Sequence, residues 1–473
     1  MSDLPCVLAL DCGATSLRAM LVASDGRILA RASKPNATRT GVDRPEFHVW
    51  DADRILDDLA ECSRKALEGV DTERVRAVTV TTFGVDGAPV DASGRQLYPV
   101  ISWKCPRTAA VMADIGKYLP QERLNAVSGV GAFAFNSLYK LVWLRENRPE
   151  TLRDAHAWLF ISSLLNQKLT GEFTTDRTMA GTSQMTDLRT GGFSDEILGA
   201  IGVSKKLFPR IVNAGDIIGR ITPDAAARLG LAGRRPPVVS TGHDTQFAVF
   251  GSGAGRDQPV LSSGTWEILM VRSAKAELAP EDYADGATAE YDAEPGLVNP
   301  GLQWLGSGVL EWVKDTFYAG IPADSVYETM IREAAAIPHG CEGVTFTPDF
   351  LPSGRTTGSI HGLVLGRTRA HIYRAALEAL SARLRSRLDR LETIGGFKAE
   401  SLVLVGGATR NKLWTQLRAD ALGIPVRVST EAETTVLGAA MFAFAGAGVH
   451  ASPEAARDAF GLTHEIVAPS SRA

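Results

Sequence analysis

Apolar and polar positions alternate through three short blocks at the start of the chain, VLALDCGATS, LRAMLVAS and RILARAS, the last two joined by an Asp25-Gly26 turn. β-rich runs broken by glycine turns predict an antiparallel meander. Farther on, VRAVTVTTFG reads as a buried strand, while FNSLYKLVWLREN and AHAWLFISSLLNQKLTG read as helices. The stretch VVSTGHDTQFAVFG, residues 238–251, passes from a β-branched run into an apolar helix and leaves Asp244 at the junction. A short polar residue there commonly caps the helix, and Asp244 or Thr245 fits that role. A chemical role for Asp244 requires a phosphate site elsewhere in the chain.

The second half repeats the opening pattern. PVLSSGTWEILMVRS is strand, Gly-Thr turn, strand; laying Gly264 over Gly13 puts Ser262 at the place of Asp11. This weak internal repeat predicts two related mixed α/β domains, residues 1–247 and 248–473, with GSGAGRDQP as the linker in the 247–258 region. SLVLVGGATRNKLWTQLRADALGIPVRV then reads strand, Gly-Gly turn, helix, strand. HIYRAALEALSARLRSRLDRLETIG reads as one long amphipathic helix with its arginines on a solvated face. VLGAAMFAFAGAGV is shorter than the roughly 20 residues of a membrane span and predicts a core helix.

Composition narrows the function classes without choosing one. A length of 473 residues exceeds a single core, and 45% hydrophobic with 22% charged residues is ordinary for a globular protein. A formal net charge of -4 gives no reason to expect nucleic acid or a membrane surface as partner. Five cysteines, odd in number and without a C-x-x-C pair, predict reduced thiols and a cytoplasmic setting. The N-terminal MSDLPCVLALDCG has no basic n-region, and its apolar run, broken by Asp11, reads as a strand.

No P-loop, no G-x-G-x-x-G after a strand and no H-E-x-x-H occurs. What remains is a set of glycine turns at strand ends: Asp11-Cys12-Gly13-Ala14-Thr15, Ser263-Gly264-Thr265 and Gly406-Gly407-Ala408. Glycine beside a hydroxyl lets backbone N–H groups approach phosphate oxygens, although each turn alone is a weak signal and reads more readily as a plain hairpin. A pair of such hairpins facing one another is more specific. Asp11, at the tip of the first strand, is placed to hold Mg²⁺ directly or through water. Arg18 on the next strand adds positive charge or lies on the surface, and Gly406-Gly407 gives a flat ring such as adenosine access to the backbone.

Taken together, FNSLYKLVWLREN (135–147) and GSIHGLVLGRTRAHIYRAALE (358–378) resemble, in order, two long patterns of the FGGY carbohydrate kinases of the actin-like ATPase superfamily. The resemblance runs over nearly the whole chain. It implies a fold of two ribonuclease-H-like domains with the active site in the cleft, ATP and Mg²⁺ as cofactors, and a small ketose as substrate. Within the family, VTTFGVDGAPVD, VISWKCPRTAAVM, GEFTTDRTMAGTSQM and LSSGTWEILMVRS most resemble members that phosphorylate L-fuculose at its 1-hydroxyl.

Carried over by position, the resemblance implies that Asp11, Gly13 and Thr15 form a first phosphate motif, with Asp11 near the metal, and that Ser263, Gly264 and Thr265 form a second. Gly406, Gly407 and Ala408 form an adenosine motif with Asn411 as its neighbour, and Asp244 is the catalytic base. Gly84, Asp86, Trp103 and His243 fall where related kinases contact the sugar; for each, ordinary turn or core structure is the alternative. Trp266 and the absence of an Arg-Glu pair near Val85-Asp86 count against glycerol. L-rhamnulose and D-pentuloses stay open, and a homodimer is the oligomer to look for. A nucleotide-driven switch shares the same two-domain plan, and stoichiometric dependence of ATP consumption on a sugar separates it from a kinase. Residues 275–300, 318–357 and the tail after 451 match least well, and no function is assigned to them.

Overall fold

A computed structural model describes residues 4–350 and 357–470. The described chain forms compact units that are not two continuous halves. The first contains residues through Gly253 together with Leu278–Asn299 and Glu433–Leu462; the second contains Ala254–Glu277, Pro300–Ala432 and the residues from Thr463 on.

In the first unit the opening blocks form strands Cys6–Cys12, Ser16–Ala23 and Ile28–Pro35, paired antiparallel in chain order. Strand Val75–Thr82 lies parallel to the first, Pro237–His243 parallel to Val75–Thr82, and Ile217–Arg220 antiparallel at the edge. The first strand is buried at every position, as a strand covered on both faces must be. In the second unit Val260–Ser263 pairs antiparallel with Trp266–Met270, which pairs antiparallel with Gly301–Leu305. Leu402–Val405 and Val426–Ser429 follow in parallel, and His464–Val467 closes the edge antiparallel. The two sheets therefore run through the same order of strand senses. That shared order is the internal repeat: each unit begins with a hairpin whose first strand is central.

Two sequence expectations change. AHAWLFISSLLNQKLTG is not one helix: Ala157–Phe160 is a strand paired with Gly87–Val90, and the helix starts only at Ile161. The Trp-Leu-Phe run is bulky, and its burial at all four strand positions outweighs the helical period that follows. Within the long helix Arg369–Gly395, the arginines do not all face solvent; Arg374 is buried, with its Nε 2.7 Å from Glu378.

The apolar stretch near the end of the chain is helix Thr434–Gly446, part of the first unit and buried over most of its length. It packs on helix Asp244–Gly251 with almost no separation between backbones. A Cβ on Gly251 would lie 2.0 Å from the Thr434 carbonyl oxygen, and one on Gly438 would lie 2.0 Å from that of Phe247. Only glycine fits at either position. Phe442 fills the crossing by meeting Phe247 and Phe250 edge-on, and this locks the helix that begins at Asp244. Among the described residues no helix is long and apolar enough to cross a membrane.

Candidate active site

In the first unit, the turn after Asp11 is closed by a hydrogen bond from Gly13 N–H to the Ser16 carbonyl, 3.0 Å. A Cβ on Gly13 would stand 2.8 Å from that same oxygen, which explains the glycine. Asn36 Nδ2 donates to the Gly13 carbonyl at 2.9 Å and braces the turn, while Thr15 is left exposed. Asp11 is buried directly across the sheet register from Arg18, whose Nε donates to its Oδ2 at 2.8 Å. Arg18 also pairs with Glu433, so it is a built member of the site rather than a free surface cation. Burial drives the Asp11 carboxyl upward and Arg18 opposes it; with Asp244 and Glu433 adding negative charge, it rests at about 6.

Asp244 follows strand Pro237–His243 through Gly242, whose φ of 143° and position admit no side chain: a Cβ there would meet Asp176 Oδ1 at 2.0 Å. The helix starts at Asp244 itself, and the cap position is His243, which makes no side-chain cap bond. The capping reading of Asp244 is thus not what the structure shows. Its Oδ1 accepts from the Thr245 N–H at 2.7 Å, and 31% of the side chain is exposed. Burial raises the Asp244 carboxyl above its ordinary range, against the lowering effect of His243, Thr245 and Arg18.

Gly84 meets His243: a Cβ added to Gly84 would lie 2.7 Å from His243 Nε2. Gly84→Ala is therefore expected to displace the imidazole, and, on the sugar contact that the family resemblance implies for these residues, to raise KM for the sugar by about tenfold or more, as misplacement near a reacting group does. Steady-state kinetics with and without the substitution checks this, and circular dichroism establishes that the variant is folded.

The Asp86 side chain is taken up by partners inside the protein. It is fully buried in a charge pair with Lys140, its Oδ2 accepting from Trp50 Nε1 at 2.6 Å and from the Trp103 N–H at 3.0 Å. Lys140, equally buried, also donates to the Val85 carbonyl at 3.0 Å, where the backbone has a φ of 62°. Burial moves Asp86 up and Lys140 down, each opposed by the other's charge. Asp86 thereby pins the backbone of Trp103, a residue 38% exposed whose ring lies 5.4 Å from Lys104 Nζ.

In the second unit the expected phosphate and adenosine turns meet: a Cβ on Gly406, where φ is 98°, would lie 2.5 Å from the Ser263 carbonyl oxygen. The Gly264 N–H donates to the Trp266 carbonyl at 3.0 Å; Thr265 is exposed, and a Cβ on Gly407 would meet nothing within 4 Å. Ser263 departs from expectation. Its hydroxyl is buried, donating to Glu267 Oε1 at 2.8 Å and accepting from Arg418 Nη2 at 2.7 Å, which leaves only the backbone of this residue for a phosphate. Glu267 and Arg418 form a fully buried pair, with Trp304 Nε1 donating to Glu267 at 2.8 Å and the guanidinium lying 3.6 Å over the Trp414 ring. Asn411 caps helix Lys412–Leu422 through the Trp414 N–H and donates to the Tyr373 hydroxyl at 3.1 Å, with Ala408 packed partly buried nearby.

Sequence reasoning missed Glu267 and Arg418, which hold the Ser263 hydroxyl, and Asp176, which accepts from Ser240 Oγ at 3.1 Å beside Gly242. Their signal was weak: Glu267 is a lone carboxylate in an apolar strand, and Asp176 and Arg418 lie among other polar residues that do not set them apart. Among the described residues no cluster of three or more His, Cys, Asp or Glu is arranged to hold a metal.

Comparison with known proteins agrees on a single family. Residues 6–251 match the N-terminal domain of the FGGY family of carbohydrate kinases and residues 260–447 its C-terminal domain. The chain is 54% identical to the L-fuculokinase of Escherichia coli (strain K12) over 451 residues, 95% of this chain and 94% of that one. It is 43% identical to the L-fuculokinase of Haemophilus influenzae over 470 residues, covering 98% and 99%. The crystal structure of xylulose kinase from Rhodospirillum rubrum superposes with a TM-score of 0.88 at 24% identity over 98% of this chain and 94% of that one, a likeness of fold.

Proposed function

The chain belongs to the FGGY family of carbohydrate kinases, and on that premise we propose that it transfers the γ-phosphoryl group of ATP to the 1-hydroxyl of L-fuculose, giving L-fuculose 1-phosphate and ADP. The observation that carries the substrate is 54% identity to an L-fuculokinase over 95% of the chain. We place this reaction on a small-molecule sugar in the cytoplasm, and a homodimer is the assembly to test by light scattering.

Phosphoryl transfer passes through a loose transition state, so the protein chiefly positions the reactants and spreads charge. Asp244 orients the sugar hydroxyl and accepts its proton as the new O–P bond forms. His243 and Trp103 border the sugar, with Gly84 leaving room for the imidazole. With the Gly13 and Gly264 N–H groups already bonded in closing their turns, the exposed Thr15 and Thr265 are the residues of those turns offered to the phosphates, and Gly406-Gly407 receives the adenosine.

Mg²⁺ fits the charge at Asp11. Asp244 and Glu433 both add negative charge around the Asp11 carboxylate, and Arg18 offsets it. A single carboxylate with its neighbours, rather than a three-ligand cage, suits an ion held through water and phosphate oxygens. When bound, the ion neutralises charge on the phosphates.

ADP release measured with Mg·ATP across L-fuculose, L-rhamnulose, D-xylulose, D-ribulose and glycerol tests the assignment. The expected result is the highest kcat/KM for L-fuculose. A higher value for another ketose would move the substrate while leaving the kinase reading, and sugar-independent turnover would point to a nucleotide-driven switch.

A further inference from the structure

Glu290 lies on the short strand Thr288–Tyr291, inside the 275–300 stretch to which the sequence assigns no function. The fold nevertheless carries it into the first unit beside His243. Glu290 Oε2 stands 3.4 Å from His243 Nδ1, and His243 Nε2 stands 3.5 Å from Asp244 Oδ1. One imidazole is thus spanned by two carboxylates, and the ring has little freedom to leave them. Gly84 closes on its other side, and the His243 backbone N–H donates to Thr178 Oγ1 at 2.9 Å.

Glu290 is itself braced. Gln246 Nε2 donates to its Oε2 at 2.7 Å, and Asn299 Nδ2 holds Gln246 in turn. Gln246 and Asn299 are fully buried, and the Glu290 side chain is only 14% exposed. Burying such a row of polar groups is unfavourable unless they are mutually satisfied. The row ends on the imidazole next to Asp244: His243 Nδ1 is buried and forms no hydrogen bond among the described residues, and Glu290 is the carboxylate that stands beside it, at ion-pair distance.

We infer that Glu290 is a positioning residue for phosphoryl transfer: it fixes the orientation of His243 and keeps a proton on Nδ1, so that the cationic ring holds Asp244 as the carboxylate until the sugar proton arrives. This rests on Asp244 being the base. In the step itself the sugar oxygen bonds to the γ-phosphorus, the bond from that phosphorus to the departing ADP oxygen breaks, and the hydroxyl proton passes to Asp244. His243 and Glu290 exchange no atoms.

The surrounding charges give the sign. Burial alone would lower His243, but the contact with Glu290 and the charges of Glu290, Asp244 and Asp176 reverse this and raise it above 6.5. Around Asp244, burial raises the carboxyl and His243 is the first influence lowering it, followed by Thr245 and Arg18; Asp11, with Glu433 beyond it, adds negative charge. Removing the Glu290 charge makes His243 easier to deprotonate. Asp244 then loses a cation and stays protonated to higher pH.

The test is Glu290→Gln, with kcat/KM for the ketose followed against pH at saturating Mg·ATP. The acidic limb is expected to move up by about one pH unit, and Glu290→Asp should return it part of the way. Should these variants fail to fold, the wild-type protein labelled with ¹³C at histidine Cε1 answers instead, the His243 signal being assigned by its loss in His243→Gln. A titration midpoint above 6.5 supports the inference, and a midpoint below 6.5 overturns it. A uniform loss of rate with an unmoved limb, or no change at all, also overturns it. Failure of the base reading shows separately, as near-normal turnover in Asp244→Asn.

Discussion

Asp244→Asn is expected to lower kcat by about 10²–10⁴-fold, the usual contribution of a positioned proton acceptor, while leaving ATP binding in place, if Asp244 is the base proposed above. The substitution keeps the shape of the side chain and an oxygen able to accept from the Thr245 N–H, so the helix start is preserved. What disappears is the negative charge and the site for the hydroxyl proton. The proposed nucleotide contacts lie in the glycine turns and are untouched. Rapid-quench turnover, with calorimetric titration of a non-hydrolysable ATP analogue, separates the two effects. Turnover within a few-fold of the parent would remove Asp244 from the role of base.

Glu267→Ala is expected to cost about 3–5 kcal/mol of stability, because removing one partner of a buried ion pair strands the other charge in a low-dielectric interior. Arg418 is a severe case. It is fully buried, and its Nε and Nη1 already lack hydrogen-bond partners among the described residues. The same change takes an acceptor from the Ser263 hydroxyl and from Trp304 Nε1, so the turn ahead of Gly264 loses its support. Urea unfolding followed by tryptophan fluorescence measures the first effect, and KM for ATP the second. An unchanged midpoint together with an unchanged KM would mean that this network neither stabilises the unit nor sets the turn.

How much of this was legible in the sequence depended on the range of the interaction. The two opening hairpins were readable because alternation and glycine turns are local, and the match between them follows from one strand order used in both units. The break at Phe160-Ile161 was not readable, since an apolar run has no period that distinguishes a strand entering a helix from one helix. Asp86 and Ser263 were expected to face a ligand, whereas the structure shows both side chains bonded within the protein. Their partners, Lys140 and Arg418, lie 54 and 155 residues away, and local pattern says nothing at that distance. Glu290 was invisible for a related reason: only the return of residues 278–299 to the first unit puts it beside His243.

The glycine crossing between helices Asp244–Gly251 and Thr434–Gly446 has a consequence for the order in which the protein is made. The platform that Asp244 stands on needs Gly438 and Phe442, yet these leave the ribosome long after Gly251 does. At about 5–20 residues per second the interval is on the order of 10–40 s. Throughout it, Phe247 and Phe250 lack the aromatic ring that covers them in the finished protein. The unit translated first is thus among the last to be completed, and a nascent chain stalled before residue 434 lacks the helix that covers Phe247 and Phe250.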